Sequence, residues 1–282
     1  MTVKRLVAAP SWEGVAVGQT ARLRVPCVGN IHKVNITYTN ITLAQMLAIR
    51  VKINNKVIFT GTGTQLDALN QNRGLTAAGG ILSFLFDRYN LMTRDMEMLT
   101  AIRAGRPDPQ TGYAITEILF EMDIDAAAAG VTLSSAYEYT DFQFIPGADG
   151  KPSIGFYKHT HNFTNAPAGA STVTINDLPK QGAPYRLMNC ISLNSSAITS
   201  VKLIVNNETL FQGTLAELQR LNVDGVRVTV ANWVHIDFTG WGYGGDLLEL
   251  FNLQTPDLRL EVVVSGATTI YGWVEYIGQH SA

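Results

Sequence analysis

The sequence predicts an all-β fold made of two similar antiparallel β-sandwiches with short helices only. Many short runs alternate between apolar and polar residues, and turn-forming residues separate them, which is typical of antiparallel strands. Few stretches have helical periodicity, so a sandwich is favoured over a mixed fold. Residues 54–70 occur again as residues 206–222, which predicts two copies of one domain. The length of 282 residues gives each copy enough chain to bury a core.

The duplicated stretch aligns without gaps at an offset of 152 residues (206 − 54). The identical pairs are Asn54/Asn206, Asn55/Asn207, Phe59/Phe211, Gly61/Gly213, Thr62/Thr214, Leu66/Leu218, Leu69/Leu221 and Asn70/Asn222. A spacing of about 150 residues is far longer than the period of solenoid repeats. It therefore indicates a duplicated domain and not a repeat array.

Each copy of this stretch predicts a β-hairpin followed by a short helix. The Asn-Asn pairs at residues 54–55 and 206–207 follow β-branched runs, and asparagine tolerates the left-handed backbone of a two-residue hairpin turn. The capping boxes that follow are Thr62-x-x-Gln65 and Thr214-x-x-Glu217. Neither copy has a catalytic group at a matching position, so the repeated unit is structural.

The rest of the first half predicts strands around a long surface excursion. Residues 21–25 alternate apolar and basic side chains, which predicts an edge strand with one solvent-exposed face. The other strand candidates are residues 34–38, 81–86 and 115–124. Residues 1–18 show no clear periodicity, and we expect an arm along the outside or base of the first domain. Residues 87–112 are polar and irregular, and residues 95–103 within them could form a short helix.

The second half repeats this plan. Its strand candidates are residues 173–175, 185–193, 226–238, 258–264 and 269–277. Between the halves, residues 146–150 form a turn-rich tip. We therefore expect an N-terminal domain at residues 1–137, a linker region at residues 138–166 and a C-terminal domain at residues 167–282.

The composition favours a protein whose surface is covered by other subunits. Charged residues make up 16% of the chain, against roughly 25% in typical soluble proteins. Because burying an unpaired charge is costly, a weakly charged surface suits contacts between subunits. Proteins that bind nucleic acid usually carry a basic face. The net charge of −2 therefore predicts no direct contact with nucleic acid. The first apolar run ends at Pro10, so we expect synthesis in the cytoplasm without a signal peptide.

Two histidines form the strongest candidate for a metal-dependent enzyme. His159 and His161 place two imidazoles on one side of a strand, as in two-domain sandwich enzymes of the bicupin type. Those enzymes also need a glutamate a few residues later, and residues 162–169 contain none. The simpler interpretation is two polar residues in a connecting segment. Since no Ser/His/Asp constellation stands out either, we expect no enzymatic activity.

The loop at residues 240–245 is rich in glycine and aromatic residues. Trp241 and Tyr243 could form a stacking platform, which makes a carbohydrate-binding pair of β-sandwiches the alternative function. The loop lacks the strand-to-helix context of a dinucleotide site, so a contact loop is the better interpretation.

Asp123 and Asp125 form the candidate metal site. They lie two residues apart, so they point to the same face of a strand and could hold a hard cation such as calcium. The competing interpretation is that they cap the turn at residues 126–129. The residues alone favour capping of this turn over cation binding. On that basis we expect a chain without a cofactor.

Four stretches of this sequence, in this order and spacing, resemble the major capsid protein of corticoviruses, the lipid-containing icosahedral marine bacteriophages. The stretches are Glu121-Met122-Asp123-Ile124-Asp125 leading into residues 126–130, Asn176-Asp177-Leu178-Pro179 with Tyr185-Arg186 downstream, Asp257-Leu258-Arg259-Leu260, and Val274-Glu275-Tyr276-Ile277-Gly278. Together with the early hairpin they extend along nearly the whole chain. The poorest matches are residues 87–112, 141–158 and 240–245.

The resemblance implies a double jelly roll, in which two eight-stranded sandwiches stand perpendicular to the capsid surface. It implies that three copies form a pseudo-hexagonal capsomer, and that capsomers tile an icosahedral shell over an internal membrane. The duplicated domain suits this role, because three chains with two similar domains give six similar wedges. The implied partners in the virion are other copies of the chain, other virion proteins and the membrane surface.

The same resemblance implies a calcium-dependent capsid, which makes Asp123 and Asp125 candidate ligands of a structural calcium ion. It also makes the basic arm at Lys4 and Arg5 a candidate contact to the membrane or its proteins at the base of the shell. Arg22 and Arg24 on the predicted edge strand are candidates for the same contact.

Overall fold

The structure of the protein is a computed structural model that describes residues 3–146, 150–180, 182, 185–221, 225, 227–239, 243–245, 247–250 and 257–279. The chain divides into two compact units. The first contains the chain up to Asn70 and Leu75–Lys158, and the second contains Gln71–Gly74 and His159–Gly278. Antiparallel strands make up most of both units and the helices are short, which confirms the predicted all-β class.

The first part of the chain contains the following elements. The strands of its sandwich are β1 (Arg5–Ala8), β2 (Thr20–Val25), β3 (Gly29–Thr39), β4 (Met46–Ile53), β5 (Lys56–Gly61), β6 (Ile81–Leu85), β7 (Ile102–Ala104), β8 (Ile118–Ile124) and β9 (Thr132–Thr140). A small hairpin follows, with strands β10 (Ile145–Pro146) and β11 (Pro152–Ser153). The helices are α1 (Gly63–Asn72) and α2 (Arg94–Glu97), and 3₁₀ turns lie at Leu43–Gln45 and Met98–Thr100.

Two sheets form the sandwich of the first unit. One has the order β1-β9-β3-β6, with β7 pairing β3 beyond the end of β6, and the other has the order β2-β8-β4-β5. Side-chain alternation gives strands such as β2 and β4 one buried face. In β2, for example, Ala21, Leu23 and Val25 are buried, whereas Arg22 and Arg24 are exposed. This confirms the predicted edge strand with one solvent-exposed face.

Four phenylalanines join the two sheets of the first unit. Phe84 of β6 lies edge-to-face against Phe59 of β5 and Phe120 of β8, with ring centroids 5.1 Å and 5.4 Å apart. Phe86 lies 5.0 Å from Phe84 and 6.2 Å from Phe120. Each such pair stabilises the core by about 0.5–1.5 kcal/mol beyond its burial, so the cluster fixes how the two sheets pack.

The second part of the chain contains a second set of elements. Its strands are β12 (Phe156–Asn165), β13 (Ser171–Ile175), β14 (Leu187–Asn194), β15 (Ile198–Val205), β16 (Glu208–Thr214), β17 (Trp233–Asp237), β18 (Leu248–Glu249), β19 (Leu258–Val264) and β20 (Ile270–Gln279). Its helix is α3 (Leu215–Leu221).

The second unit repeats the first strand for strand. Its sheets have the orders β12-β20-β14-β17, with β18 also pairing β14, and β13-β19-β15-β16. When the eight main strands of each sandwich are numbered in chain order, both units have sheets 1-8-3-6 and 2-7-4-5. This is the strand order of a jelly roll, so the chain is a double jelly roll related by internal duplication.

The predicted hairpin turns are present in both units. Asn54 and Asn55 have φ angles of 47° and 64°, and Asn206 and Asn207 have φ angles of 51° and 63°. These left-handed conformations are those of a two-residue hairpin turn, in which asparagine is tolerated better than most residues. The prediction from the Asn-Asn pairs is therefore confirmed.

Both predicted capping boxes are formed. The Thr62 N–H donates to the Gln65 side chain at 2.8 Å, and the Gln65 N–H donates to the Thr62 hydroxyl at 3.2 Å. The Thr214 N–H donates to the Glu217 carboxylate at 2.7 Å, and the Glu217 N–H donates to the Thr214 hydroxyl at 3.4 Å. Helices α1 and α3 therefore begin where the sequence predicts them.

Some parts of the chain differ from the sequence prediction. The arm at residues 1–18 contains strand β1, which alternation does not predict because all four of its residues are exposed. Strand β17 is shorter than the predicted run at residues 226–238. Strands β9 and β12 extend into residues 138–166, and the domain bounds at residues 1–137, 138–166 and 167–282 stay a prediction. Among the described residues, no helix is long and apolar enough to cross a membrane.

Candidate functional site

The outer face of one sheet in the first unit carries a row of paired charges. Glu121 of β8 lies between two cross-strand neighbours, Arg22 of β2 and Arg50 of β4. Their charged atoms approach Glu121 to 3.6 Å and 3.2 Å. Lys52 lies 2.8 Å from the same carboxylate, and its hydrogen bond is the main cause of the lowered pKa of Glu121. Cross-strand pairs of this kind stabilise a sheet by about 0.2–1 kcal/mol each.

Asp123, one of the two predicted calcium ligands, has protein partners on both carboxylate oxygens. Arg50 donates to the two oxygens at 2.7 Å, and the Thr20 hydroxyl donates to one of them at 2.6 Å. The hydrogen bonds from Arg50 hold the pKa of Asp123 below its ordinary value, although burial opposes them. A cation at this carboxylate would therefore have to displace Arg50.

Asp125, the second predicted ligand, accepts the backbone N–H of Ala127 at 2.8 Å. The capping contact that the sequence favours is therefore present after β8. In the part of the chain that the structure describes, no three His, Cys, Asp or Glu side chains are grouped as metal ligands would be. Calcium binding at Asp123 and Asp125 stays a prediction.

The second unit carries an ion pair that matches the row in the first. Lys202 of β15 lies opposite Glu261 of β19, and their charged atoms are 3.7 Å apart. The offset of 152 residues places Lys202 at the position of Arg50. The duplication seen in the hairpin therefore extends to the exposed face of the sheet.

Both units contain a β-bulge at the same place in the middle strand of the other sheet. The register shifts between Ile31 and Lys33 in β3, and between Met188 and Cys190 in β14. The extra residue is His32 in the first unit and Asn189 in the second. Their carbonyls accept the N–H groups of residues 86 and 238, which are also 152 residues apart. A bulge redirects the side chain of its extra residue, and here both side chains enter buried polar networks.

The network of the first unit centres on Asp87. His32 Nδ1 lies 3.0 Å from both carboxylate oxygens, and His32 Nε2 lies 3.0 Å from the Thr140 hydroxyl. Lys4 Nζ lies 3.4 Å from Asp87 and 3.1 Å from Glu138. Burial favours the neutral form of Glu138, but the hydrogen bonds and charges of Lys4 and Lys33 together outweigh it and hold the pKa of Glu138 below its ordinary value. The network ties the N-terminal arm to β3 and β9.

The network of the second unit centres on Glu275 of β20. Its carboxylate accepts hydrogen bonds from Asn189 Nδ2 and from Arg73 Nη2, both at 2.6 Å. Glu275 pairs in register with Cys190, as Glu138 pairs with Lys33 in the first unit. Each jelly roll therefore places a glutamate beside its bulge, and each glutamate meets a cation.

Ser192 and His235 are in contact within the second unit. The Ser192 hydroxyl lies 2.8 Å from His235 Nδ1, and the His235 ring stacks on Trp233 with 5.7 Å between centroids. Both side chains are buried, and burial, with the nearby charge of Arg73, lowers the pKa of His235 to about 3. A substrate could not reach this hydroxyl, so the pair is structural.

The predicted metal-binding histidines lie on β12. The Tyr185 hydroxyl lies 3.3 Å from His159 Nε2, with the two rings edge-to-face. Burial lowers the pKa of His161, and the charge of Asp177 partly opposes this. The described residues supply no third side chain that would complete a metal site.

The predicted stacking platform is only partly described. Trp241 lies outside the residues that the structure describes, and Tyr243 is 56% exposed. Carbohydrate binding at this loop stays the alternative prediction.

Large apolar side chains remain exposed on both units. They are Val3, Leu6, Val7, Val17, Val28, Leu47, Val57, Ile81, Met92 and Met96 in the first unit, and Leu210, Val228, Tyr243 and Tyr271 in the second. Several lie on strands that pair on one side only. Leu6 is 63% exposed on β1, Ile81 is 54% exposed on β6, and Leu210 is 45% exposed on β16. An open strand edge with apolar side chains is a surface that another chain can cover.

The sequence does not identify these edge residues or the two bulge networks. The edge residues lie in short runs whose exposure depends on which strands pair. The one available signal for the networks was the identity of residues 86 and 238 at the offset of the duplication.

Comparison with known proteins identifies the family. Residues 7–139 match the family model of the viral coat protein P2 N-terminal domain, and residues 157–280 match that of the viral coat protein P2 C-terminal domain. The two matches follow each other along the chain, one for each jelly roll. No curated protein sequence matches the chain.

Solved structures confirm the double jelly roll. The major capsid protein P2 from bacteriophage PM2 matches with a TM-score of 0.83 and 19% identity, over 99% of this chain and 98% of that one. The atomic structure of Sulfolobus turreted icosahedral virus matches with a TM-score of 0.62 and 14% identity, over 98% and 90% of the two chains. The PBCV-1 virus capsid matches with a TM-score of 0.64 and 10% identity, over 98% and 94%.

Proposed function

Because the chain belongs to the P2 viral coat protein family, we propose that this major capsid protein forms homotrimeric, pseudo-hexagonal capsomers of an icosahedral shell over an internal membrane. Its place is the capsid of the virion, and its role is structural and not enzymatic. The partners in this proposal are other copies of the chain within the trimer, neighbouring capsomers, other virion proteins and the viral membrane. Synthesis in the host cytoplasm and the lack of direct contact with nucleic acid belong to the same proposal.

The observation that carries the proposal is the repeat of one jelly roll within the chain. Both units have the strand orders 1-8-3-6 and 2-7-4-5, and both carry the bulge and the cross-strand ion pair at equivalent places. Three copies of such a chain supply six similar units. A closed threefold assembly can therefore present an outline with nearly sixfold symmetry.

The open strand edges support lateral association. Leu6, Ile81 and Leu210 place apolar side chains on strands with one unpaired side. In a closed ring a neighbouring unit would cover such edges, and the apolar area would leave water. The low share of charged residues, 16%, reduces the charge that association must desolvate.

The experiment that tests the trimer is light scattering behind a sizing column on the purified chain. We expect a mass of about 92 kDa (3 × 30.7) that persists on dilution. A monomer of 30.7 kDa would contradict the trimer. A trimeric mass without a six-lobed outline in negative-stain images would support the trimer but contradict its pseudo-hexagonal form.

We also propose that the basic residues of the first unit contact the membrane or its proteins. Arg22 and Arg24 have side chains 60% and 71% exposed, although each lies near a glutamate. Because both arginines are exposed, their pairs are screened by water, and an anionic surface could compete with the glutamates for them. Lys4 and Arg5 also have acidic neighbours, at 3.1 Å and 3.2 Å. If virions still assemble when the charges of Lys4, Arg5, Arg22 and Arg24 are all reversed, this proposed contact is contradicted.

Structural calcium at Asp123 and Asp125 remains part of the proposal. Calcium is a hard cation that binds oxygen ligands. To bind it, the Asp123 carboxylate would have to give up its hydrogen bonds from Arg50. Calorimetric titration of the purified chain with calcium tests this. We expect a Kd that weakens at least tenfold in Asp125→Asn and is unchanged in Asp95→Asn, an exposed aspartate elsewhere in the unit. Equal affinities in the two variants would exclude Asp125 as a ligand.

A further inference from the structure

The first unit contains a cavity of 630 Å³ that the coat function does not account for. It lies among α2, the 3₁₀ turn that follows α2 and the segment that leads from β9 into β10. Its apolar wall consists of Met96, Met98, Leu99, Phe144, Ile145 and Pro146. Small-molecule sites have volumes of roughly 300–1,000 Å³, with mostly apolar walls and a few polar groups. The cavity has the size and lining of such a site.

One wall of the cavity carries a buried cation. Arg103 of β7 lines the cavity and is only 1% exposed. Its Nη2 donates to the Met98 carbonyl at 2.9 Å. Its Nη1 donates to the carbonyls of Leu99 and Ala101 at 3.2 Å and of Ile154 at 3.4 Å. The Nε–H has no acceptor in the part of the chain that the structure describes.

The charge of Arg103 is not balanced by a neighbouring carboxylate. Among the described residues, no Asp or Glu oxygen forms an ion pair with its guanidinium. Asp87 attracts it from farther away, but Asp87 already contacts His32 and Lys4. Burial lowers the pKa of Arg103 to about 10, so it stays protonated at neutral pH. Because a buried charge without a counter-ion is costly, an anion in the cavity would be stabilised.

The other charged wall residues limit the charge of a ligand. Arg94 adds a second positive charge and Asp95 adds a negative charge, so the wall with Arg103 carries a net charge of +1. A monoanion balances this net charge, whereas a dianion would leave one negative charge unbalanced. The apolar side chains opposite require that the anionic group be attached to an apolar chain.

We propose that this cavity binds an amphipathic monoanion, a carboxylate or phosphodiester group on an apolar chain, with its charged group toward Arg103. A fatty acid and an anionic phospholipid share this chemistry. The site is contained in one unit, so the proposal does not depend on the trimer.

Calorimetric titration of the purified full chain tests the ligand class with four probes. These are decanoate, dihexanoylphosphatidylglycerol, decanol and decyltrimethylammonium. We expect at least one of the two anions to bind at least tenfold more tightly than decanol, and the cation not to bind. Preference for decanoate would indicate a fatty acid, and preference for the phospholipid would indicate a lipid headgroup. Equal affinity for anions and decanol, or no binding of either anion, would overturn the proposal.

Variants locate the site. Arg103→Gln should weaken the anion at least tenfold and leave decanol unchanged, while Arg106→Gln should change neither. Arg106 is a matched control because its guanidinium lies over the Phe142 ring at 5.2 Å and does not line the cavity. Leu99→Trp should narrow the cavity and weaken the binding of the anion and of decanol alike. If Arg103→Gln does not fold, two other measurements test whether the anion binds in this cavity. They are binding to Leu99→Trp and the comparison of decanoate with decanol. Undiminished anion binding in Leu99→Trp would overturn the proposal.

Discussion

Asp108 shows how one side chain can hold a long excursion in place. One carboxylate oxygen accepts the N–H groups of Gln110 and Thr111 at 2.9 Å and 3.0 Å. The other accepts the Ser153 hydroxyl at 3.0 Å and the Ile154 N–H at 2.9 Å. Burial raises the pKa of Asp108, but these hydrogen bonds outweigh burial and hold the pKa below its ordinary value of 3.8. The carboxylate therefore fastens the segment before β8 to strand β11.

We expect Asp108→Ala to lower the free energy of unfolding by about 1–3 kcal/mol at pH 7, because it leaves buried donors without an acceptor. A depressed folded pKa stabilises the protein above the ordinary value of 3.8 and loses its effect as pH falls through the folded value. We therefore expect the difference in the free energy of unfolding between variant and parent to shrink as the pH falls below 3.8. Urea unfolding at stepwise lower pH measures this difference. Asp95→Ala, an exposed control, should change stability by less than about 0.5 kcal/mol. A difference that stays constant into acid would contradict the role of the ionised carboxylate.

The glutamates beside the two bulges allow a comparison at equivalent positions. The side chain of Glu275 is 4% exposed beside Arg73, whereas that of Glu138 is 19% exposed beside Lys4, which is itself 33% exposed. Breaking a buried pair costs about 3–5 kcal/mol, and breaking a half-buried pair costs less because water screens its charges. We expect Glu275→Ala to be much more destabilising than Glu138→Ala in denaturant unfolding. Adding Arg73→Met to Glu275→Ala should recover part of the loss, and equal costs at the two glutamates would contradict this account.

At the scale of secondary-structure elements, the two asparagines of the first hairpin turn have different roles. Both have positive φ angles, 47° for Asn54 and 64° for Asn55. Asn54 also donates to the Ala114 carbonyl at 2.7 Å and accepts the N–H groups of Thr116 and Glu117 at 2.9 Å and 3.1 Å. Asn54 therefore joins the hairpin to the segment before β8, whereas Asn55 contributes its backbone conformation.

Glycine substitution separates these two roles, because glycine adopts positive φ without strain. We expect Asn55→Gly to change the free energy of unfolding by less than about 0.5 kcal/mol. Asn54→Gly should cost about 1–3 kcal/mol, because the side-chain hydrogen bonds to the segment before β8 are lost and partly buried groups are left unpaired. Denaturant unfolding of the two variants side by side is the measurement. Equal stabilities would show that Asn54 matters only for the turn.

The local elements could be predicted from the sequence, and the long-range ones could not. The Asn-Asn turns and capping boxes depend on residues within four positions of each other, so their signals lie in one short stretch. Strand β1 could not be predicted, because all four of its residues are exposed and no alternation marks it. The bulge at His32 depends on the register with β9. The partner of Asp123 is Arg50, 73 residues away, which no local pattern reveals.

The two jelly rolls were predictable at a coarser level. The duplication at an offset of 152 residues predicts two similar domains, but it does not determine the order of their strands. That order came as an implication of the family resemblance, and the sheets confirm it.

At the scale of the whole molecule, charged side chains pair within their own unit while apolar ones remain on strand edges. Lys4 with Glu138, Arg50 with Asp123, and Arg227 with Asp237 are such pairs. Association through the edges would therefore desolvate little unpaired charge. It would instead remove apolar area from water, which is the main favourable term in most protein association. A chain with this distribution is suited to assembly by its sides.

The edges lead to the last prediction. Leu6 on β1 and Ile81 on β6, 63% and 54% exposed, lie at opposite edges of one sheet. A lysine at either position would bring a charge into a covered edge, so we expect Leu6→Lys and Ile81→Lys to lower the mass in light scattering from about 92 kDa (3 × 30.7) to 30.7 kDa. Far-UV circular dichroism should stay unchanged, because both side chains are exposed in the isolated chain. Leu47→Lys is the matched control, since Leu47 is 49% exposed on β4, which has a partner strand on each side. Trimers in both edge variants, with dissociation in Leu47→Lys, would place the contact on the face of a sheet and not on its edges.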